Sequence, residues 1–69
     1  MQLLPDANEF RAAFRRFRHD RENGWSAFKA QRRGQRARCT EVFSDQTMTV
    51  RFGDGTEFDV PWEAVTSPP

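Results

Sequence analysis

The chain has 69 residues and a formal net charge of +1, and this length accommodates one domain with one core. No apolar run approaches the roughly 20 residues that cross a bilayer, and the N-terminus lacks the basic opening and apolar stretch of a signal peptide, so we expect a cytoplasmic protein with no membrane partner. The lone Cys39 cannot form an internal disulfide, which fits a reducing compartment, and we expect the core to depend on seven Phe and two Trp side chains.

The small net charge hides an uneven distribution along the chain. Residues 1–38 hold ten of the eleven basic side chains and four acids, which gives this half a net charge of +6. Residues 39–69 hold Arg51 against six acids, which gives −5. A basic half followed by an acidic half indicates a charged partner, and the basic residues are nearly all arginine, whose planar fork suits phosphate and carboxylate.

A helix is predicted over residues 6–23. Asp6 is a good N-cap, and Glu9 follows three residues later at capping-box spacing. Three phenylalanines then recur at i, i+4 and i+7 and define one apolar stripe: Phe10, Phe14 and Phe17. We expect Gly24 to end the helix by taking the left-handed conformation.

Residues 25–34 are predicted to form a short turn or connector. Ser26 could cap a single helical turn, whereas Phe28 could equally begin a strand. In either case we expect Trp25 and Phe28 to pack into the core, together with Trp62, because a domain this small needs its large rings inside.

Residues 35–65 are predicted to form an antiparallel β-meander. In the first strand, over residues 36–43, Cys39 and Phe43 share a face with Glu41, which predicts a bulge. A turn over residues 44–46 follows. The next two strands show strict alternation of apolar and polar side chains around Met48, Val50 and Phe52, and then around Phe58, Val60 and Trp62.

Side-chain parity selects the loop of the second hairpin. A two-residue loop would set an apolar face against a charged one, whereas a three-residue loop at residues 53–55 keeps the apolar faces together. The second choice predicts these cross-strand pairs: Phe52 with Thr56, Arg51 with Glu57, Val50 with Phe58 and Met48 with Val60. Gly55 would supply the positive φ, Pro61 would lie on an edge strand, and residues 66–69 are expected to be a disordered tail.

The segments 34–42, 47–52 and 54–65 together resemble a small SH3-like barrel of the Tudor or KOW type, without matching a specific family. The fold class is therefore α+β, with an N-terminal amphipathic helix packed on an antiparallel sheet or barrel of three to five strands. The chain is one strand short of a barrel, which leaves a helix-covered three-stranded sheet or a barrel completed across a homodimer as alternatives. The resemblance implies a binding module for nucleic acid, peptides or methylated side chains.

The arginines are the candidate binding residues. Three lie on one flank of the predicted helix at i, i+4 and i+7, and four follow close in sequence: Arg11, Arg15, Arg18, Arg32, Arg33, Arg36 and Arg38. A row of arginines is typical of phosphate contact. The competing interpretation is a solvated face with ion pairs Arg16–Asp20 and Arg18–Glu22, and a third is contact with an acidic protein, including a second copy of this chain.

Catalytic, metal and cofactor sites are not expected. His19 has no second His or Cys nearby, and the basic neighbours of Cys39 are weaker evidence than its place in a strand. We expect Glu57 and Asp59 on a solvent face, without the spacing of a Ca²⁺ loop. The sequence thus predicts a non-enzymatic regulatory or accessory module that contacts nucleic acid or a nucleic-acid-bound machine. The alternative is a protein–protein regulator or inhibitor of the kind that phages and mobile elements encode.

Overall fold

A computed structural model describes residues 1–66 and has an α+β architecture. The helices are α1 (Ala7–Ala12) and α2 (Ala27–Ala30), with two short 3₁₀ helices at Arg15–Phe17 and Trp62–Ala64. The strands β1 (Arg38–Val42), β2 (Thr47–Arg51) and β3 (Glu57–Pro61) form one antiparallel sheet in that order. Of the tail expected over 66–69, residues 67–69 lie outside the described part, and Thr66 is held by a backbone hydrogen bond to Gln2.

Helix α1 begins as predicted but ends far earlier. The Asp6 carboxylate accepts the Glu9 N–H at 2.8 Å, the expected cap. The prediction of one helix over 6–23 is wrong, because α1 stops at Ala12 and the backbone then tightens into i→i+3 hydrogen bonds. Local and tertiary contacts override the helical period here: the Asp20 carboxylate takes the N–H groups of Glu22 and Asn23, which a continuing helix would have used.

Gly24 is required for close packing rather than for a left-handed turn. Its φ is not positive, so the predicted left-handed end of the helix is wrong; among the described residues positive φ occurs at Gly34, Gln46 and Gly55. A Cβ on Gly24 would lie 2.7 Å from the Phe17 carbonyl oxygen and closer still to the carbonyl oxygen of Asp20. The chain therefore folds back onto its own backbone at a point that only glycine accommodates.

The 25–34 connector contains the single helical turn α2, capped by Ser26, whose Oγ accepts the Lys29 N–H at 3.2 Å. The alternative of a strand starting at Phe28 is wrong. The expectation that Phe28 packs into the core is also wrong, because its side chain is 58% exposed. On one helical turn the inward positions fall to Lys29 and Ala30, which leaves Phe28 on the outer side. Trp25 is partly buried and packs against the core.

Lys29 is the one buried cation of the described chain and uses all three of its N–H donors. The ammonium donates to the carbonyl oxygens of Glu22 at 2.7 Å, Gly24 at 3.0 Å and Asp59 at 2.9 Å. Burial lowers the pKa of Lys29, and the nearby charge of Asp59 opposes that effect. The side chain thereby ties α2, the loop before it and β3 together.

The sheet follows the predicted register. Val50 faces Phe58 and Met48 faces Val60, with Gly55 at φ 91° in the three-residue loop. The expected bulge in the first strand is present between Cys39 and Glu41. Strand β3 is an edge of the three-stranded sheet, as predicted from Pro61.

The first residues of the chain join the start of β1 to the segment that follows β3. On one side Leu3 donates to Gln35 and accepts from Gly34, and on the other Leu4 donates to the Ala64 carbonyl. Isolated bridges pair Gln2 with Arg36 and Leu3 with Val65. Leu3 is fully buried, so this segment also contributes to the core.

One apolar cluster lies inside these elements. Its members come from the N-terminal segment, α1 and the turn after it, α2, the inward side of β2 and the residue after it, and the segment from β3 to Val65. They are Leu3, Phe10, Ala13, Phe14, Ala30, Met48, Val50, Phe52, Val60, Ala64 and Val65. Phe10 and Phe14 are fully buried with ring centroids 5.0 Å apart, so two of the three predicted stripe residues are in the core despite the short helix. Trp62 packs against this cluster and its indole N–H donates to the Thr47 carbonyl.

Replacement of Lys29 by Met should destabilise the protein by about 2 kcal/mol, because three carbonyl groups then lose their donor while the apolar stem is kept. The free energy of unfolding is measured by urea denaturation followed by Trp fluorescence. Arg21→Met is the control, since this exposed arginine makes no side-chain hydrogen bond within residues 1–66; it should change the free energy by less than about 0.5 kcal/mol. Equal stability of the two variants would contradict the bracing role of Lys29.

Replacement of Gly24 by Ala should lower the free energy of unfolding by about 1–3 kcal/mol. The new methyl group would clash with two backbone carbonyl oxygens, which cannot move without the rest of the chain. Gly53→Ala is the matched control, since a Cβ there meets no atom within 4 Å. Its stability should be unchanged or raised by less than about 1 kcal/mol. The same denaturation experiment compares them, and a Gly24→Ala protein as stable as Gly53→Ala would disprove the close approach.

Candidate functional site

Three of the ten arginines serve the fold itself through side-chain hydrogen bonds. Arg16 makes a two-pronged contact with the Glu63 carboxylate, at 3.2 Å from Nε and 3.0 Å from Nη2, and its Nη1 reaches the Asp45 carbonyl. The Arg16 guanidinium also lowers the pKa of Glu63. The pairs Arg16–Asp20 and Arg18–Glu22 considered from the sequence are absent from residues 1–66, because the helix that would align them ends at Ala12.

Arg32 anchors the β2–β3 loop to the segment after α2. Its Nη2 donates to Asp54 Oδ2 at 2.6 Å and to Thr56 Oγ1 at 3.0 Å, and its guanidinium carbon lies 4.9 Å from the centre of the Phe52 ring. The hydrogen bond from Arg32, with those of Thr56, holds the pKa of the Asp54 carboxyl at about 2. Arg32 was predicted as part of the binding surface; the structure places its guanidinium in an ion pair with Asp54, and its contact with a ligand stays a prediction.

Arg33 is exposed but also makes side-chain hydrogen bonds within the protein. Its Nε donates to the Pro5 carbonyl at 3.3 Å and its Nη1 to the Ala30 carbonyl at 3.0 Å. These bonds fix the segment after α2 against the start of the chain. The guanidinium keeps the remaining N–H of Nη1 and both of Nη2 for a ligand.

Arg11, Arg15 and Arg18 are all exposed and make no side-chain hydrogen bond within residues 1–66. Only Arg11 lies in α1, where its guanidinium stacks 4.2 Å from the centre of the Trp25 ring. Arg15 belongs to the first 3₁₀ helix and Arg18 follows it. Their spacing therefore does not place them in a row along one helix flank, although all three remain open to solvent.

The structure brings Arg36 and Arg38 together with Arg51 around one cleft of about 420 Å³. The bulge between Cys39 and Glu41 sets the register that puts Arg38 directly opposite Arg51 on the neighbouring strand. The bridge from Gln2 to Arg36 holds the third arginine at the same end of β1. The rest of the cleft wall is formed by Met1, Ala37, Phe52 and Gly53.

The cleft is strongly positive because its wall contains three arginines and no Asp or Glu. Like charges placed directly opposite across two strands repel each other. Glu57 faces Arg51 from the other side, as the hairpin register predicted, but residues 1–66 contain two ion pairs, Arg16–Glu63 and Arg32–Asp54, and neither involves Arg51. The three arginines thus have no carboxylate partner within the described chain.

Arg51 is the site residue that sequence reasoning missed. The sequence placed it on the outer face as a partner of Glu57, and its acidic surroundings in residues 39–69 drew attention away from it. The register between β1 and β2 determines which residue lies opposite Arg51, and this register depends on the position of the bulge. Once the bulge is put immediately after Cys39, alternation alone sets Arg38 beside Arg51.

A second, acidic cleft of about 390 Å³ lies near Glu22, Asp45 and Asp59. Two of these carboxylates are already used, since Asp45 accepts the Thr47 N–H and Asp59 accepts the Thr49 hydroxyl. Within residues 1–66, no three His, Cys, Asp or Glu side chains are grouped as a metal ion would require. Over the same residues, no helix has the length and apolar character needed to traverse a membrane.

Comparison with known proteins finds no matching family, no matching curated protein and no matching solved structure.

Replacement of Arg32 by Met should raise the pKa of Asp54 from about 2 toward its ordinary value of 3.8, because the main hydrogen bond to the carboxylate is removed. In the native protein this pair contributes stability that is complete above pH 3.8 and is lost as the pH falls through about 2. The titration is followed by the carboxyl ¹³C resonance of Asp54. Arg33→Met is the control and should leave the pKa of Asp54 unchanged; equal values in both variants would refute the assigned cause.

Proposed function

We propose that the protein is a small non-catalytic regulatory or accessory module that contacts nucleic acid, or a machine bound to nucleic acid, through its uncommitted arginines. The observation that carries the proposal is the division among the ten arginines: three are bonded within the protein, and seven make no side-chain hydrogen bond within residues 1–66. The seven are exposed, and two of them, Arg38 and Arg51, belong to strands of the sheet: Arg11, Arg15, Arg18, Arg21, Arg36, Arg38 and Arg51.

Phosphate backbones are the partners that such a surface fits best. Each guanidinium presents donors in a planar fork that matches phosphate oxygens, and each contact releases condensed counterions. Arg11 adds a further feature, because its guanidinium is already stacked at 4.2 Å on Trp25 and so loses little freedom on binding. Arg32 and Arg33 add to this surface with the donors that their hydrogen bonds within the protein leave free.

We also propose that the fold is of the SH3-like type that the sequence resembles. A three-stranded meander followed by the 3₁₀ helix Trp62–Ala64 supports it, and so does the N-terminal segment that bonds both to residues 34–37 and to residues 64–66. The resemblance implies a binding module for nucleic acid, peptides or methylated side chains, and the exposed arginines favour nucleic acid among these. The free thiol of Cys39 supports a reducing compartment such as the cytoplasm.

A second candidate is a protein–protein regulator without nucleic-acid affinity, in which a partner or a second copy of the chain covers the exposed apolar side chains. It is favoured by Phe28 and Val42, which are 58% and 49% exposed. The two candidates differ in salt dependence: phosphate contact weakens steeply with salt, whereas an apolar interface does not.

Fluorescence anisotropy with labelled single-stranded RNA, single-stranded DNA and duplex DNA tests the proposal at low and physiological salt. We expect micromolar or tighter binding at low salt, with log K falling linearly against log salt. Replacing Arg11, Arg15 and Arg18 together by Ala should weaken binding at least tenfold. It should also reduce the magnitude of the salt slope by roughly 2 to 3, since each lost phosphate contact removes about 0.7–0.9.

The matched control replaces the same three residues by Lys, which keeps the charge and should retain the salt slope. Absence of binding to all three probes at low salt would overturn the nucleic-acid proposal and favour the protein–protein alternative. Binding that is independent of salt would do the same.

A further inference from the structure

We propose that the cleft between Arg36, Arg38 and Arg51 is a binding site for one phosphate group, carried by a nucleotide or by a nucleic-acid strand. The proposal rests on the proposed function only for the source of the phosphate. The cleft is separate from Arg11, Arg15 and Arg18, and it includes Arg51, which the sequence assigned to another role.

The opposed arginines are the first step of the argument. Arg38 and Arg51 are Cα partners across β1 and β2, so their Cβ atoms are roughly 5 Å apart and their side chains leave the sheet on the same face. With no carboxylate in the cleft wall, the two charges repel. A phosphate placed between them accepts hydrogen bonds from both forks and removes the repulsion, which makes an anion more favourable here than beside an isolated arginine.

Arg16 shows how the same molecule satisfies an arginine when an anion is supplied from within. Its Nε and Nη2 atoms bond to the two oxygens of Glu63, at 3.2 and 3.0 Å. The cleft arginines have the donors for the same bidentate geometry, but none of the cleft-lining residues supplies the acceptor. The missing acceptor is what a ligand would bring.

The shape of the cleft favours phosphate with an organic group attached over a bare ion. Its volume of about 420 Å³ lies within the roughly 300–1,000 Å³ of ordinary small-molecule sites. Met1 and Ala37, which are both partly exposed, add apolar surface to the wall, against which a sugar or base can pack. The charged and apolar parts of the wall therefore match the two parts of a nucleotide.

Glu57 is the one acidic neighbour in register with the cleft, since it faces Arg51 from β3. Its carboxylate competes with a bound anion for Arg51, although the two side chains form no ion pair within residues 1–66. Removing that charge should therefore strengthen phosphate binding. This effect has the opposite sign to anything that loss of a structural contact would produce.

The experiment is an NMR titration of ¹⁵N-labelled full-length protein with inorganic phosphate, adenosine monophosphate and a short single-stranded DNA. We expect saturable shifts centred on residues 36–38 and 51–53, with the monophosphate binding more tightly than inorganic phosphate. The variant R38A/R51A should weaken binding of both small ligands at least tenfold. E57Q should tighten it about twofold, and R38K/R51K should lie between the wild type and the Ala variant.

The variant R15A/R18A separates the cleft from the surface proposed for the nucleic-acid backbone. It removes the same charge as R38A/R51A and should weaken binding of the DNA, while binding of inorganic phosphate and adenosine monophosphate stays within twofold of the wild type. Thermal unfolding confirms that each variant is folded. Equal weakening by R38A/R51A and R15A/R18A, or shifts spread evenly over all exposed arginines, would overturn the cleft as a site and leave only general attraction.

The two proposals fail in different ways. Small-ligand binding in the cleft without binding of the DNA supports the site while overturning the proposed function. DNA binding that R38A/R51A leaves unchanged and that small ligands do not compete with supports the proposed function and overturns the cleft.

Discussion

The three hydrogen bonds of the buried Lys29 ammonium are the constraint on which the rest of the molecule depends. The loop after the first 3₁₀ helix leaves carbonyl groups of Glu22 and Gly24 pointing inward with no helix to satisfy them, and an unpaired buried carbonyl is costly. The ammonium supplies those partners and bonds to Asp59 of β3 at the same time. One cation thereby links segments that a longer helix or a disulfide would link in other small domains. The ring centres of Phe14 and Phe58 lie 5.5 and 5.9 Å from the ammonium and add favourable cation–π contacts.

The sequence separation of the interacting residues explains which parts of the fold could be predicted from the sequence. Hairpin register, bulge and helix cap depend on neighbours in the chain or on strict alternation, so they could be predicted from the residue pattern and agree with the structure. The early end of α1 could not, because neither the turn around Asp20 nor the contact of Arg16 with Glu63, 47 residues away, is visible in the helical period of the phenylalanines. The burial of Lys29 in place of Phe28 on the inward side of α2 could not be predicted either. Hydrophobicity alone predicts that the ring is buried, and the buried carbonyl groups that make the ammonium favourable there are known only from the structure.

The sequence predicts that the candidate site consists of arginines, but it does not predict which arginines form it. An excess of arginine in the first half of the chain indicated an anionic partner, and that indication stays a prediction. Which arginines are free depends on tertiary acceptors: Asp54 takes Arg32, and the Pro5 carbonyl takes Arg33. Arg51 is added by strand pairing across a bulge, a relation between distant residues that charge counting along the chain does not detect.

The placement of the first residues has a consequence for folding order and for handling the protein. Leu3 and Leu4 bond to residues about 30 and 60 positions away, so these contacts carry the largest loop-closure entropy in the molecule and should form after the hairpins. The end of the chain that closes last is also the one at the cleft mouth, because Met1 lines it. A purification tag fused ahead of Met1 would emerge beside the three arginines and obstruct their site, because Met1 is itself part of the cleft wall.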